Sequence, residues 1–220
     1  MTNRPVIQGL YAITPDENDT SRLTTLVQAS IQGGASVVQY RNKRADSKLR
    51  IEQSRALLAL CKKHQVPLII NDDVKLCLAI DADGVHIGTT DGNLAETRSR
   101  IGPGKILGAS CYNSLALALK AEQDGASYIA FGACFPSGTK PNAPKADISL
   151  FAQARKAIGI PTVAIGGITL DNAPDVISVG ADAIAVIGAI FSNDDVLGAS
   201  KQFSLLFKKN HHDLTQSATI

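Results

Sequence analysis

Short runs of β-branched and other apolar residues recur along this chain, each followed by a longer stretch of helical spacing. The runs fall at 10–13, 37–40, 68–70, 84–87, 106–109, 128–131, 162–165 and 183–186. Each is apolar on both parities, as in a strand covered on both faces, and such strands belong to parallel sheets flanked by helices. Leu23, Leu26, Val27 and Ile31 mark one helix, and the segments 49–60, 115–121 and 196–207 mark others. The joints repeat too. Gly33-Gly34-Ala35, Asp124-Gly125-Ala126 and Val179-Gly180-Ala181 each close a helix and lead into a strand, where Gly supplies a left-handed cap. At His64-Gln65-Val66-Pro67 and Gly159-Ile160-Pro161 a proline stops the helix instead. Eight strands alternating with helices predict eight βα units. The economical closed form is an α/β fold, a single-domain (β/α)8 TIM barrel over 1–207. An open doubly wound sheet is the alternative, but no G-x-G-x-x-G follows the first strand.

A length of 220 residues suits one such domain. There is no Trp and aromatics are 5%, so the core must be built from Ala, Ile, Leu and Val. The net charge of +2 is too small for a nucleic-acid footprint. No stretch approaches the ~18 apolar residues of a membrane span, and no signal peptide is visible. Cys61, Cys77, Cys111 and Cys134 form no C-x-x-C pair and no zinc spacing, so reduced buried thiols in a cytoplasmic protein are expected. The polar stretch 208–220, with His211-His212, reads as a flexible tail rather than a metal site. Oligomeric state is left open, a homo-oligomer included.

In a βα barrel the active site forms at the carboxyl ends of the strands. There the sequence places Gln39, Arg41 and Lys43, then Asn71-Asp72-Asp73, His86 and Asp91, Ser110, the run from Phe135 to Pro141, Gly166-Gly167, and Gly188. The opposite joints are Gly, Ala and Pro, and this asymmetry points to an enzyme. Alternation puts Gln39, Arg41 and Lys43 on one side while the chain stays extended. Arg41, Lys43 and Lys140 suit phosphate oxygens. Gly166-Gly167 and Gly188 fall where barrels cradle a phosphate with backbone N–H groups. Asp72 and Asp91 are hard oxygen ligands suited to Mg²⁺ bridging a diphosphate. Two phosphorylated ligands are therefore expected. Asp73 is read as a helix N-cap, with Asp72 pointing inward. His86 is read as a packed strand residue rather than a base.

The motifs Val38-Gln39-Tyr40-Arg41-Asn42-Lys43, Ile70-Asn71-Asp72-Asp73, Asp83-Gly84-Val85-His86-Ile87-Gly88, Phe135-Pro136-Ser137-Gly138-Thr139-Lys140 and Ala164-Ile165-Gly166-Gly167-Ile168 together resemble the thiamine-phosphate synthase family. The resemblance is collinear from Gly9 to Ile190. It implies a Mg²⁺-dependent transferase that joins a hydroxymethylpyrimidine diphosphate to a hydroxyethylthiazole phosphate, or its carboxylated form, releasing pyrophosphate. By matching positions, Gln39, Arg41, Lys43, Asn71 and Lys140 would hold the pyrimidine diphosphate. Asp72 and Asp91 would hold Mg²⁺, and Ser110 would face the pyrimidine. Ser137 and Thr139 would meet the thiazole, and Gly167, Ile187 and Gly188 would cradle its phosphate. Lys140 and Ser110 are the residues expected to act in catalysis, and the segment 135–142 is expected to close over the substrates.

The chain departs from the family pattern at Thr89, where Gln is common, at Ser137, where Thr is common, and at Gly188, where Ser is common. Around strand 5 it reads Ser110-Cys111-Tyr112 in place of Ser-x-His. Two other readings compete. A thiazole tautomerase of the same fold would need a base where Tyr112 stands, and a phenol with an ordinary pKa near 10 is a poor base at neutrality. A non-catalytic phosphate-ligand sensor would have no need of Asp72, Asp91 and Lys140 together.

Overall fold

The computed structural model describes residues 7–88, 92–136 and 146–216, with side chains as far as Lys208. Its strands are β1 (Gly9–Ile13), β2 (Ala35–Tyr40), β3 (Leu68–Asn71), β4 (Gly84–Ile87), β5 (Ile106–Tyr112), β6 (Tyr128–Phe131), β7 (Thr162–Ile165) and β8 (Ala183–Val186). All pair in parallel, in chain order, and β1 also pairs with β8 to close the barrel. The helices between them are α1 (Thr20–Gln32), α2 (Ser47–His64), α3 (Val74–Ile80), α4 (Leu94–Ile101), α5 (Leu115–Gln123), α6 (Ser149–Ala157) and α7 (Ala173–Ser178). After β8 come the short α8 (Gly188–Phe191) and the long α9 (Val196–Gln216). No described helix is long and apolar enough to cross a membrane.

Local sequence explains the element ends. Asp19, Asp46, Asp73, Asn93 and Ser114 each accept a backbone N–H in the first turn of the helix that follows. Gly34, Gly125 and Gly180, at the repeated joint, all take positive φ. The core has two shells. Leu10, Val38, Ile70, Val85, Leu107 and Ile129 face outward to the helices. Tyr11, Val37, Ile69, Ile106, Tyr128 and Val163 fill the barrel's inside. Alternation along each strand separates the shells.

Two boundaries differ from the sequence reading. β5 runs on from Ala109 to Tyr112, because a register shift between Ser110 and Tyr112 lets it bulge and keep pairing with β6. α9 continues beyond Phe207 to Gln216. Its apolar spacing ends at Phe207, but the helical ladder uses only backbone groups and needs no apolar face to continue.

Candidate active site

The strand ends build the site in two parts, an inner polar line and an outer cationic cavity. The inner part begins at Gln39 on β2, buried inside the barrel, whose Nε2 donates to Tyr11 Oη at 2.8 Å. Tyr11 Oη lies 2.7 Å from Tyr128 Oη, and Tyr128 Oη lies 2.9 Å from His86 Nδ1. His86 Nε2 is 2.9 Å from Ser110 Oγ on β5, the half-buried end of the line. The rings of His86 and Tyr128 stack with centroids 5.5 Å apart. Burial pushes both phenols well above their ordinary pKa, so they stay neutral. His86 is therefore a packed strand residue, and it is also the link between Ser110 and the barrel interior.

The outer part is a cavity of about 510 Å³ lined by Arg41, Lys43, Asn71 and Asp72, as expected, and also by Arg50, Lys75 and Arg100. Gln39 does not line it. β2 ends at Tyr40, and Asn42 is buried on the same side as Tyr40, both meeting Gln53 on α2. Asn42 Nδ2 donates to Gln53 Oε1 and to the Glu17 carbonyl, and its Oδ1 accepts from the Arg44 and Ala45 N–H groups. Arg41 is set by Thr14, which exchanges hydrogen bonds with its backbone, and by Asp16, 3.3 Å from its guanidinium. Asp16 also accepts from the Lys43 N–H at 2.8 Å. The Arg50 Nε is buried and has no hydrogen-bond partner among the described residues.

Asp72 takes φ +62, left-handed for a non-glycine residue. It is held there because its N–H donates to the His86 carbonyl at 2.8 Å, across to β4. Asn71 Nδ2 donates to its carboxylate at 2.6 Å. Asp73 caps α3, accepting from Leu76 N–H at 2.9 Å, as the sequence suggested.

On the far side of the mouth, Gly166 and Gly167 both take positive φ. A β-carbon on Gly167 would lie 2.4 Å from the Pro136 carbonyl oxygen, and Phe135 N–H donates to the Gly166 carbonyl. The Gly-Gly pair is thus required to seat the β6 loop. Ile187 packs on the barrel interior, and Gly188 is exposed at the start of α8. Tyr112 ends the β5 bulge, exposed, with φ +50. Asp91, Ser137, Thr139 and Lys140 lie outside the described residues, as do Thr89 and most of the 135–142 segment.

Sequence reading missed Tyr11 and Tyr128, whose apolar rings look like ordinary core, and Arg50 and Arg100, which look like helix surface. The four cysteines are all free and buried. Burial pushes the Cys61 and Cys111 thiols up to about 12 and those of Cys77 and Cys134 to about 11, so none is a ready nucleophile.

Known proteins agree with this architecture. The family model described as thiamine monophosphate synthase matches residues 10–190. A thiamine-phosphate synthase of Methylobacillus flagellatus is 61% identical over 92% of this chain and 97% of its own. One from Nitrosomonas eutropha is 49% identical over 93% of this chain and 97% of its own. Among solved structures, a thiamine phosphate pyrophosphorylase from Pyrococcus furiosus superposes with a TM-score of 0.82 at 34% identity, covering 92% of this chain and 96% of that one. The chain belongs to the thiamine monophosphate synthase family.

Proposed function

We propose that the protein joins an aminopyrimidine carried on a methylene diphosphate to a hydroxyethylthiazole phosphate, or to its carboxylated form, making thiamine phosphate and pyrophosphate. The observation that carries this reading is the meeting of Arg41, Lys43, Asn71 and Asp72 around one cavity beside the mouth that Ser110 reaches. In the reaction the methylene C–O bond breaks and its electron pair leaves with the diphosphate. The electron-rich ring delocalises the positive charge left on the methylene, and the thiazole nitrogen's lone pair forms the new C–N bond. Arg41 and Lys43 hold the diphosphate, and their charge favours its departure. Lys140 adds charge at the same leaving group. Ser110 meets the pyrimidine, Ser137 and Thr139 the thiazole, and Gly167 with the Ile187-Gly188 backbone the thiazole phosphate. No covalent intermediate is required, in keeping with thiols held protonated by burial.

The family implies Mg²⁺. The residues fit it: Asp72 is a fixed hard oxygen donor at the edge of a cationic cavity. Among the described residues no three His, Cys, Asp or Glu side chains come together. In phosphate sites Mg²⁺ needs only one or two carboxylates, its other positions going to water and phosphate oxygens. Asp72 and Asp91 would hold it, and it would supply positive charge to the leaving diphosphate. The catalytic unit is taken as the barrel of 1–207, with α9 running on past its end to Gln216, in the cytoplasm.

The test is pyrophosphate release by the purified protein with each substrate alone and with both, with and without Mg²⁺. Release only when both substrates and Mg²⁺ are present supports the reading. No release under any condition overturns it.

A further inference from the structure

The line from Gln39 to Ser110 has a direction that can be read by counting protons. Between the Gln39 amide and His86 Nδ1 stand two phenols, making three hydrogen bonds in series. Each phenol has one proton to give. With the Gln39 amide turned so that Nε2 faces Tyr11, Gln39 fills the first bond, and the Tyr11 and Tyr128 protons fill the other two. His86 Nδ1 must then accept. A proton on Nδ1 would leave one phenol O–H without an acceptor among the described residues, in the buried centre of the barrel. Such an orphaned buried donor costs roughly 1–3 kcal/mol. Both phenols are about fully buried and held neutral, so neither can relieve the conflict by ionising.

With Nδ1 accepting, a neutral imidazole carries its proton on Nε2 and donates it to Ser110 Oγ. The Ser110 proton is then directed away from His86, toward the mouth. We infer that Tyr128, held by Tyr11 and Gln39, is a positioning residue that fixes His86 as the Nε2–H tautomer and so makes Ser110 a hydrogen-bond donor to a ring nitrogen of the pyrimidine. The second half rests on the synthase reading; the tautomer does not. Gly108 supports the arrangement. A β-carbon there would lie 2.4 Å from His86 Nδ1 and 2.3 Å from Tyr128 Oη, so the space between those two groups is kept by the absence of a side chain. With its proton free of His86, the Ser110 hydroxyl can offer it to a bare ring nitrogen, a bond that an amino group in the same place would not accept, and this favours one orientation of an aminopyrimidine.

The tautomer is read in the free protein by ¹⁵N-histidine NMR, with the His86 signals identified by their loss in His86→Asn. The expected result is a protonated Nε2 and a bare Nδ1 in wild type, and loss of that fixed pattern in Tyr128→Phe. A protonated Nδ1 in wild type overturns the inference without touching the reaction. Kinetics provide the second arm. Tyr128→Phe should raise KM for the pyrimidine diphosphate about tenfold with the thiazole KM unchanged. Combined with Ser110→Ala it should add nothing to the loss from Ser110→Ala alone. Additive losses, or equal effects on both KM values, overturn the positioning role. The wild-type spectrum alone keeps the inference open to contradiction if Tyr128→Phe does not fold. A wild type with the expected tautomer that releases no pyrophosphate removes the synthase reading and, with it, Ser110's role toward a pyrimidine.

Discussion

A β-carbon placed on Gly108 would sit 2.2 Å from the ring carbon that bears the Tyr128 hydroxyl, so the glycine on β5 is what allows the tyrosine on β6 to reach across to β4. Gly108→Ala should therefore act through packing. Overfilling a tight core costs about 1–3 kcal/mol, and here the crowded atoms belong to a rigid ring. The expected outcome is a lower Tm together with a higher KM for the pyrimidine diphosphate. An unchanged Tm would mean that the ring can move aside.

Asp72 is a carboxylate at the cavity edge, fixed by its backbone bond to His86. Asp72→Asn keeps the shape and removes the charge. Turnover should fall at least about tenfold, roughly 1.4 kcal/mol of transition-state stabilisation, and more Mg²⁺ should be needed for half-maximal rate. Wild-type turnover with an unaltered Mg²⁺ titration would remove Asp72 from the metal site.

Arg50 separates function from stability. Its Nε is buried without a partner among the described residues, a cost to the folded chain, in a cavity suited to an anion. Arg50→Met should leave Tm equal or raised while KM for the pyrimidine diphosphate rises several-fold. A fall in Tm with unchanged KM would assign Arg50 to packing alone.

The buried thiols predict an alkaline loss of stability. Cys61 and Cys111 are pushed up from an ordinary 9.0 to about 12, and Cys77 and Cys134 to about 11. The stability this contributes is fully present below pH 9 or so, where the unfolded thiols are also protonated. It is lost as the pH rises toward the folded values, because the unfolded chain releases protons first. Urea midpoints should fall between pH 8 and pH 10, and Cys61→Ala should flatten that fall relative to wild type, whatever it does to the midpoint at pH 7. An unchanged slope in the variant would assign the loss to other groups.

Much of this was legible in the sequence, for identifiable reasons. The strands showed because both their faces are apolar, as at Val38 and Val37, which face opposite shells. Asp73 showed because an N-cap is a local device. The β5 extension did not show, since a bulge at Cys111 keeps no alternation. The polar line did not show either. Tyr11 and Tyr128 are 117 residues apart, and only barrel closure brings their hydroxyls together. Arg41 and Lys43 showed by type as cations at the strand end, and Asn42 meets Gln53 beside Tyr40, as strand alternation anticipates.

The most direct measurement compares the condensation with isomerisation of the thiazole carboxylate alone. Wild type should release pyrophosphate only with both substrates and Mg²⁺, and should leave the thiazole carboxylate isomer unchanged when it is the only substrate. Lys140→Ala should abolish pyrophosphate release, because the leaving diphosphate loses a cation, while Tyr112→Phe should leave release largely intact. Isomerisation of the thiazole without the pyrimidine diphosphate, dependent on the Tyr112 hydroxyl, would contradict the account.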